Sequence, residues 1–337
     1  MLSRLPRVTP SGYRRITLVA LVALGFIIVT GGAVRLTGSG LGCPQWPNCT
    51  TGHLAPPKVS PTGYHGAVEF VNRVITGVVS VAVIVAVLAS LVRVPRRKDL
   101  TWLSAGLVLG VVGQIVLGGE TVRHKLNPAF VAAHFLLSML IVWDAVVLDH
   151  RASLPDGAPR RALVEPELVW AGRLMAVLAG VTIIAGTVVT GSGPHGGDDK
   201  VQRWSLDLHR VTQLHGTAAM LLVALTVATL WLLRSQGAPA AAIHRGRQVI
   251  EALALQVAIG YTQYFTGVPV VLVGCHILGA VLVWTAVLRF ALVLGMSPAP
   301  AAQAGRPAGA GPRPTWAAAP PALSPRESFI MTAGSGP

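Results

Sequence analysis

The sequence predicts an all-α integral membrane protein: eight transmembrane helices arranged as two pseudo-repeated four-helix bundles. Three observations carry that prediction. Of 337 residues, 52% are hydrophobic and 12% are charged, and the mean hydropathy is +0.61, a balance that water-soluble domains do not reach. Eight continuous apolar stretches approach the roughly 20 residues a helix needs to cross hydrocarbon. The chain is also written twice. Glu69-Phe-Val-Asn72-Arg73 matches Leu206-Asp-Leu-His209-Arg210 at a separation of 137 residues, and each is followed by a second matching segment, one ending at His134 and the other at His276. Because the apolar runs are continuous rather than alternating, they argue against a strand barrel.

The elements follow in order. Residues 1–15 carry Arg4, Arg7, Arg14 and Arg15 and precede a first apolar stretch at 16–34. That stretch has no cleavage-like site before its Gly-rich end, so it reads as a retained helix rather than a signal peptide. A cysteine-containing loop, 35–66, leads to helix 2 at 67–92, which runs into Arg93, Arg96, Arg97 and Lys98. Stretches at 101–118 and 128–148 complete an amino-terminal half, 16–148. A linker, 149–168, holds Arg151, Arg160 and Arg161. The carboxy-terminal half, 169–294, contains stretches at 169–189, 207–233, 248–265 and 270–294, with Arg234, Arg245 and Arg247 between its second and third. These 14 basic residues face six in the opposite loops: Arg35, Lys58, Arg123, Lys125, Lys200 and Arg203. The asymmetry places both termini in the cytoplasm and explains the net charge of +14 without any nucleic acid. Residues 295–337 are rich in Pro, Ala and Gly and are expected to be disordered.

Helices 2, 4, 6 and 8 all run inward from the outer face, which puts Asn72, His134, His209 and His276 at comparable depth. A histidine inside a membrane segment is costly and is a functional candidate by default. Two histidines on facing helices can hold a haem within a bundle, and His209 and His276 meet that requirement in the second half. In the first half His134 offers one axial bond, whereas Asn72 is a poor iron ligand. The halves should therefore hold different haems. His215, six residues after His209, points about 240° around the helix, away from the ligand face. Glu69 and Asn72, at i and i+3, project from one helix face. Glu69 either pairs with Arg73 at the interface or, as the stronger reading, serves as a proton-accepting carboxylate beside a bound ligand. Arg73 and Arg210 either hold haem propionates or snorkel to the interface.

Cys43 and Cys49 lie on the outer, oxidising side, where a disulfide can form and persist, as a structural staple or as a redox relay. Pro44, Trp46 and Pro47 make the loop a rigid lid. With only His53 nearby, the pair is an incomplete zinc set. Cys275 is expected as a small buried apolar residue.

The Gly-rich segment from Val29 to Cys49, the cysteine pair with its Pro and Trp, the Glu69-x-x-Asn72-Arg73 start of helix 2 and the histidines on helices 4, 6 and 8 together resemble the bacterial haem A synthase family, over about residues 15–295. The resemblance implies an oxidoreductase that converts the ring D methyl group of haem O to a formyl group, giving haem A for terminal oxidases. It implies His209 and His276 as axial ligands of a haem B cofactor, His134 as ligand of the substrate haem, and Glu69 as the catalytic carboxylate. Asn72 stands where many members carry a second substrate-side histidine. Implied partners are haem O, haem O synthase and an electron donor or acceptor of unspecified identity, with a location in the cell membrane. Read from the residues alone, a quinol-linked bis-haem electron-transfer protein and a non-catalytic haem-binding assembly factor remain open.

Overall fold

A computed structural model describes residues 7–57, 62–158 and 160–298. Eight helices follow in chain order: α1 (Pro10–Leu36), α2 (Tyr64–Val92), α3 (Lys98–Arg123), α4 (Pro128–Ser153), α5 (Pro166–Ser192), α6 (Leu208–Ser235), α7 (Ala240–Phe265) and α8 (Val270–Gly295). Arg4, Lys58 and the carboxy-terminal stretch from residue 299 lie outside the described residues.

The helices run longer than the apolar stretches that announce them. At 26 to 29 residues they span about 39 to 44 Å, more than the roughly 30 Å of hydrocarbon, so their ends reach into the polar zone. Those ends are fixed by caps that hydropathy does not register. Thr9 accepts from the Gly12 N–H, Asn127 from the Ala129 N–H, and Asp207 from the N–H groups of His209 and Arg210. Pro10 and Pro128 take first-turn positions where no amide donor is needed.

Packing closes each half into a ring. α1 meets α2 and α4, and α3 lies between α2 and α4; α5 meets α6 and α8, and α7 lies between α6 and α8. The rings join through α1, α4, α5 and α8. Apolar side chains such as Phe26, Trp102, Leu109, Trp170, Leu221 and Trp231 point outward and are exposed, as expected of helices facing lipid rather than water. Seven of the eight helices are long and apolar enough to cross a membrane. The exception is α7, predicted as spanning, where Arg245, Arg247 and Glu251 with Gln248, Gln256 and Gln263 dilute the apolar run. It is still a continuous 26-residue helix held between two neighbours. The chain is thus a multi-pass membrane protein.

Polar bonds stitch the seam between the halves. Trp284 of α8 donates to the Met139 carbonyl of α4 at 2.9 Å. Asp149 of α4 accepts from Arg289 of α8 at 2.9 Å and from Thr17 of α1 at 3.3 Å. The face opposite the cysteine loop is tied down by a short antiparallel pairing of β1 (Arg160–Arg161) with β2 (Ser297–Pro298). Arg93, 2% exposed, makes a bidentate pair with Asp156 there, both distances 2.9 Å.

Candidate functional site

Each half carries the same constellation at the cysteine-loop end. His134 lies six residues beyond the start of α4, and His276 six beyond the start of α8. Gln114 of α3 donates to the His134 carbonyl at 2.9 Å, and Gln256 of α7 to the His276 carbonyl at 3.0 Å. Gly118 faces the first imidazole and Gly260 the second; in each case an added Cβ would come within 3.2 Å of Cε1. The glycines let the rings lie flat against α3 and α7, and the glutamines fix the backbone behind them. Nδ1 of both rings is buried without a hydrogen-bond partner, and among the described residues neither ring makes any hydrogen bond. Buried polar groups are almost always satisfied. With Nδ1 turned against the glycine of the neighbouring helix, the other ring nitrogen, Nε2, is not buried and has no hydrogen-bond partner among the described residues, so at both matched positions it is the nitrogen open to a ligand such as haem iron.

The repeat-equivalent positions on α2 and α6 differ. In the first half Asn72 of α2 accepts a hydrogen bond from Thr30 of α1 at 2.8 Å. In the second half His209 sits exposed in the first turn of α6. Its Nδ1 meets the Tyr264 hydroxyl at 3.1 Å and its Nε2 meets the Gln213 amide at 2.8 Å. If the Gln213 amide donates, the ring is the Nδ1–H tautomer and donates to Tyr264. Arg210 is exposed and lies 3.6 Å from Asp207. His215, expected to turn away from the ligand side, instead lies with its ring centroid 6.2 Å from that of His276. Its Nδ1 bonds the Thr182 carbonyl at 3.0 Å, and Gly186 makes room for it on α5. The α5 packing surface thus sets this orientation, and a rotation counted from His209 alone does not reveal it.

Glu69 has no counterpart in the second half, where Leu206 is half exposed and precedes α6. The Glu69 carboxylate is 6% exposed. Its Oε2 accepts from the Cys43 N–H at 2.7 Å, and its Oε1 accepts from Arg73 at 2.6 and 3.2 Å. Arg73 also donates to the carbonyls of Cys43, Gln45, Pro47 and Asn48 at 3.1 to 3.2 Å. Its donors are therefore engaged by Glu69 and the loop, which it clamps to α2. Cys43 and Cys49 form a disulfide, both fully buried. Trp46 lies against Gly119 of α3, where an added Cβ would come within 2.7 Å, and beneath the Arg123 guanidinium at 5.2 Å. The lid anticipated from Pro44, Trp46 and Pro47 is thus pinned to α2 by Arg73 and to α3 by Trp46. Cys275, expected to be buried, is exposed, because the adjacent His276 takes the inward position on α8.

Sequence reasoning missed Gln114, Gln256, Gly118, Gly260, Thr30 and Tyr264. A repeat offset of 142, read across Gln114 to Gln256, Gly118 to Gly260 and His134 to His276, was the available signal.

Comparison with known proteins agrees with this geometry. A family model described as cytochrome oxidase assembly protein matches residues 14–195, which includes the cysteine loop, Glu69, Asn72 and His134. A protein named Heme A synthase from Lysinibacillus sphaericus is 31% identical over 130 residues, 38% of this chain and 41% of that protein. One of the same name from Shouchella clausii is 28% identical over 151 residues, 44% and 48% of the two chains. A third, from Halalkalibacterium halodurans, is 26% identical over 269 residues, 75% of this chain and 86% of that protein. The chain therefore spans less than half the length of the first two relatives and most of the third. With the family model covering more than half of its residues, the chain belongs to the cytochrome oxidase assembly protein family.

Proposed function

We propose that the protein oxidises the ring D methyl group of haem O to a formyl group, producing haem A for terminal oxidase assembly. The observation that carries this reading is the inequality of two otherwise matched sites. Both halves present an orphaned histidine backed by Gln and Gly, but at the repeat-equivalent position of α6 and α2 one half carries His209 and the other Asn72, the latter one turn from a buried carboxylate. The three relatives named Heme A synthase support the same activity.

In this reading His209 and His276 hold haem B, which when bound supplies one-electron transfer at a potential tuned by the surrounding helices. Tyr264 and Gln213 orient His209, though Gln213 must yield Nε2 for it to ligate. His134 would offer a ring nitrogen to the iron of the substrate haem, and Asn72, its Oδ1 already engaged by Thr30, would be a weak iron ligand in that half. Glu69 sits one turn from Asn72 on the same face. Its Oε2, which accepts a single N–H, retains a lone pair for a proton leaving the methyl carbon. Arg73 and the disulfide loop cover that end and limit water. Converting the methyl to a formyl group takes its oxygen from one admitted water and releases four protons and four electrons; the electrons leave to a separate acceptor, and haem O synthase supplies the substrate. Both termini lie in the cytoplasm, a reading supported by the basic residues gathered at that face, and the disulfide lies on the outer side of the cell membrane, where such bonds persist.

The test is pigment extraction from membranes of cells expressing the protein with and without a source of haem O. Haem A appearing only when both are present is the expected result. A purified protein that carries haem but makes no haem A under any electron acceptor would sink the enzyme reading.

A further inference from the structure

Arg35 and Arg203 are two guanidiniums that share the same carbonyl acceptors. Arg35 is the penultimate residue of α1 and Arg203 lies in the loop between α5 and α6. Arg35 makes only long contacts, to the carbonyls of Thr190 at 3.4 Å and Pro194 at 3.5 Å. Arg203 donates to the same two carbonyls, and through Nε to Gly193 at 2.8 Å. Two cations thus converge on one set of acceptors. Among the described residues neither has a carboxylate within ion-pair distance. Nε and Nη1 of Arg35 and Nη1 of Arg203 have no acceptor there. Burial pulls Arg203 below the ordinary arginine range, which is the mark of a cation short of anions.

Both side chains line a cleft of about 700 Å³, together with His65, His195, Gly196 and Gly197. The two glycines make room for the pair. A Cβ on Gly196 would come within 2.6 Å of the Arg203 Nη1, and Gly197, at φ +101°, lies against the Arg35 stem. Asp198 and Asp199 also line the cleft, and Asp198 is occupied in accepting the Lys200 N–H at 2.9 Å. The cleft lies beside the outer end of α8. Leu36 packs against Gly274, and Ile277 against Gly32, so the end of α1 packs on the turns of α8 that carry His276. His195 bonds the Val268 carbonyl at 2.9 Å, just ahead of α8.

We propose that this cleft is a carboxylate-binding site that takes the propionate edge of the haem carried by His276. A planar guanidinium fork matches a carboxylate bidentately, so the pair offers one fork to each of two propionates. The proposal rests on the haem reading given above. It reassigns to Arg35 and Arg203 the role expected of Arg73, whose donors are spent on the cysteine loop.

The experiment titrates the full chain, purified in detergent from haem-limited cells, with haem B and with haem B dimethyl ester, whose carboxylates are masked. Binding is followed in the Soret band. The wild-type protein should prefer the free acid by about tenfold or more, as expected for charge-assisted hydrogen bonds. The Arg35→Gln, Arg203→Gln double variant should bind both forms with the ester's affinity, and Arg35→Lys, Arg203→Lys should recover part of the preference. Equal wild-type affinity for the two haems overturns the proposal, and this arm needs no variant to fold. So does a preference undiminished in a Gln variant that still binds the ester. If wild type binds neither haem, or binding is indifferent to His276→Ala, the haem reading itself fails. Titration in phosphatidylcholine and phosphatidylglycerol nanodiscs separates the sources of anion. Arginine-dependent retention of phosphatidylglycerol without any acid-over-ester preference would make the ligand a phosphate and overturn the carboxylate assignment.

Discussion

The two halves share a scaffold and differ where chemistry would be decided. α3 and α4 hold His134 as α7 and α8 hold His276, down to the glutamine on the carbonyl and the glycine beneath the ring. What the neighbouring helices bring has diverged. One half carries His209 at the start of α6, bonded to Tyr264, and sets His215 6.2 Å from His276. The other replaces the second imidazole with Asn72 and adds Glu69, Arg73 and a disulfide-closed lid. A repeat keeps the residues that build a cavity and varies those that say what is done in it. The imidazole-rich half suits holding a haem on both faces, and the carboxylate half suits leaving one face open.

The largest expected effect tests the assignment of the halves. His276→Ala should remove the low-spin haem B spectrum almost entirely, whereas His134→Ala should leave it and abolish haem A formation. Retention of a normal bis-imidazole spectrum in His276→Ala would erase the distinction. Next is Glu69→Gln, expected to stop haem A formation while haem B stays bound. It also leaves the Arg73 charge without its partner, at a cost to the lid of about 2–4 kcal/mol, so activity should be read against the Cys43→Ser, Cys49→Ser variant. Comparable losses in both would mean that Glu69 acts through the lid rather than on the substrate.

Asn72→His makes the first half resemble the second. The expected outcome is a six-coordinate low-spin component from the bound substrate haem, visible by electron paramagnetic resonance; an unchanged spectrum would place Asn72 off the iron axis. Removing the disulfide should lower stability by about 2 kcal/mol for so short a loop, read as a lower thermal midpoint in detergent. The smallest effect is expected from Tyr264→Phe, which deletes one hydrogen bond to His209 worth about 1 kcal/mol. It should shift the haem B g-values slightly and leave haem O binding untouched.

The helices were legible because apolar length is a direct consequence of the bilayer, and the histidines because burying them in lipid is costly. Other features depend on non-local packing. The carbonyls of Cys43, Gln45, Pro47 and Asn48 reach Arg73 only because the loop folds back over α2, and no spacing along the chain announces that. His215 was read from helical rotation relative to His209, yet Gly186 on α5 is what admits its ring. Gln114 and Gln256 look like ordinary polar residues in a spanning helix until each is seen to hold the backbone of a neighbouring histidine.

The character of α7 bears on how the protein is made. A charge at the centre of a spanning helix raises the free energy of translocon insertion by about 2.5–3.5 kcal/mol, and α7 carries Arg245, Arg247 and Glu251 toward one end and three glutamines along its length. Its strongest dock is α8, where Gly279 leaves room for the Gln256 side chain and the His276 carbonyl receives the Gln256 amide. The two helices are joined by only four residues, Thr266 to Pro269. Such a segment enters the bilayer most readily as one arm of a helical hairpin, waiting at the translocon until its partner has been synthesised. The surface of α8 that carries His276 would then be assembled only once both arms of that hairpin had been made.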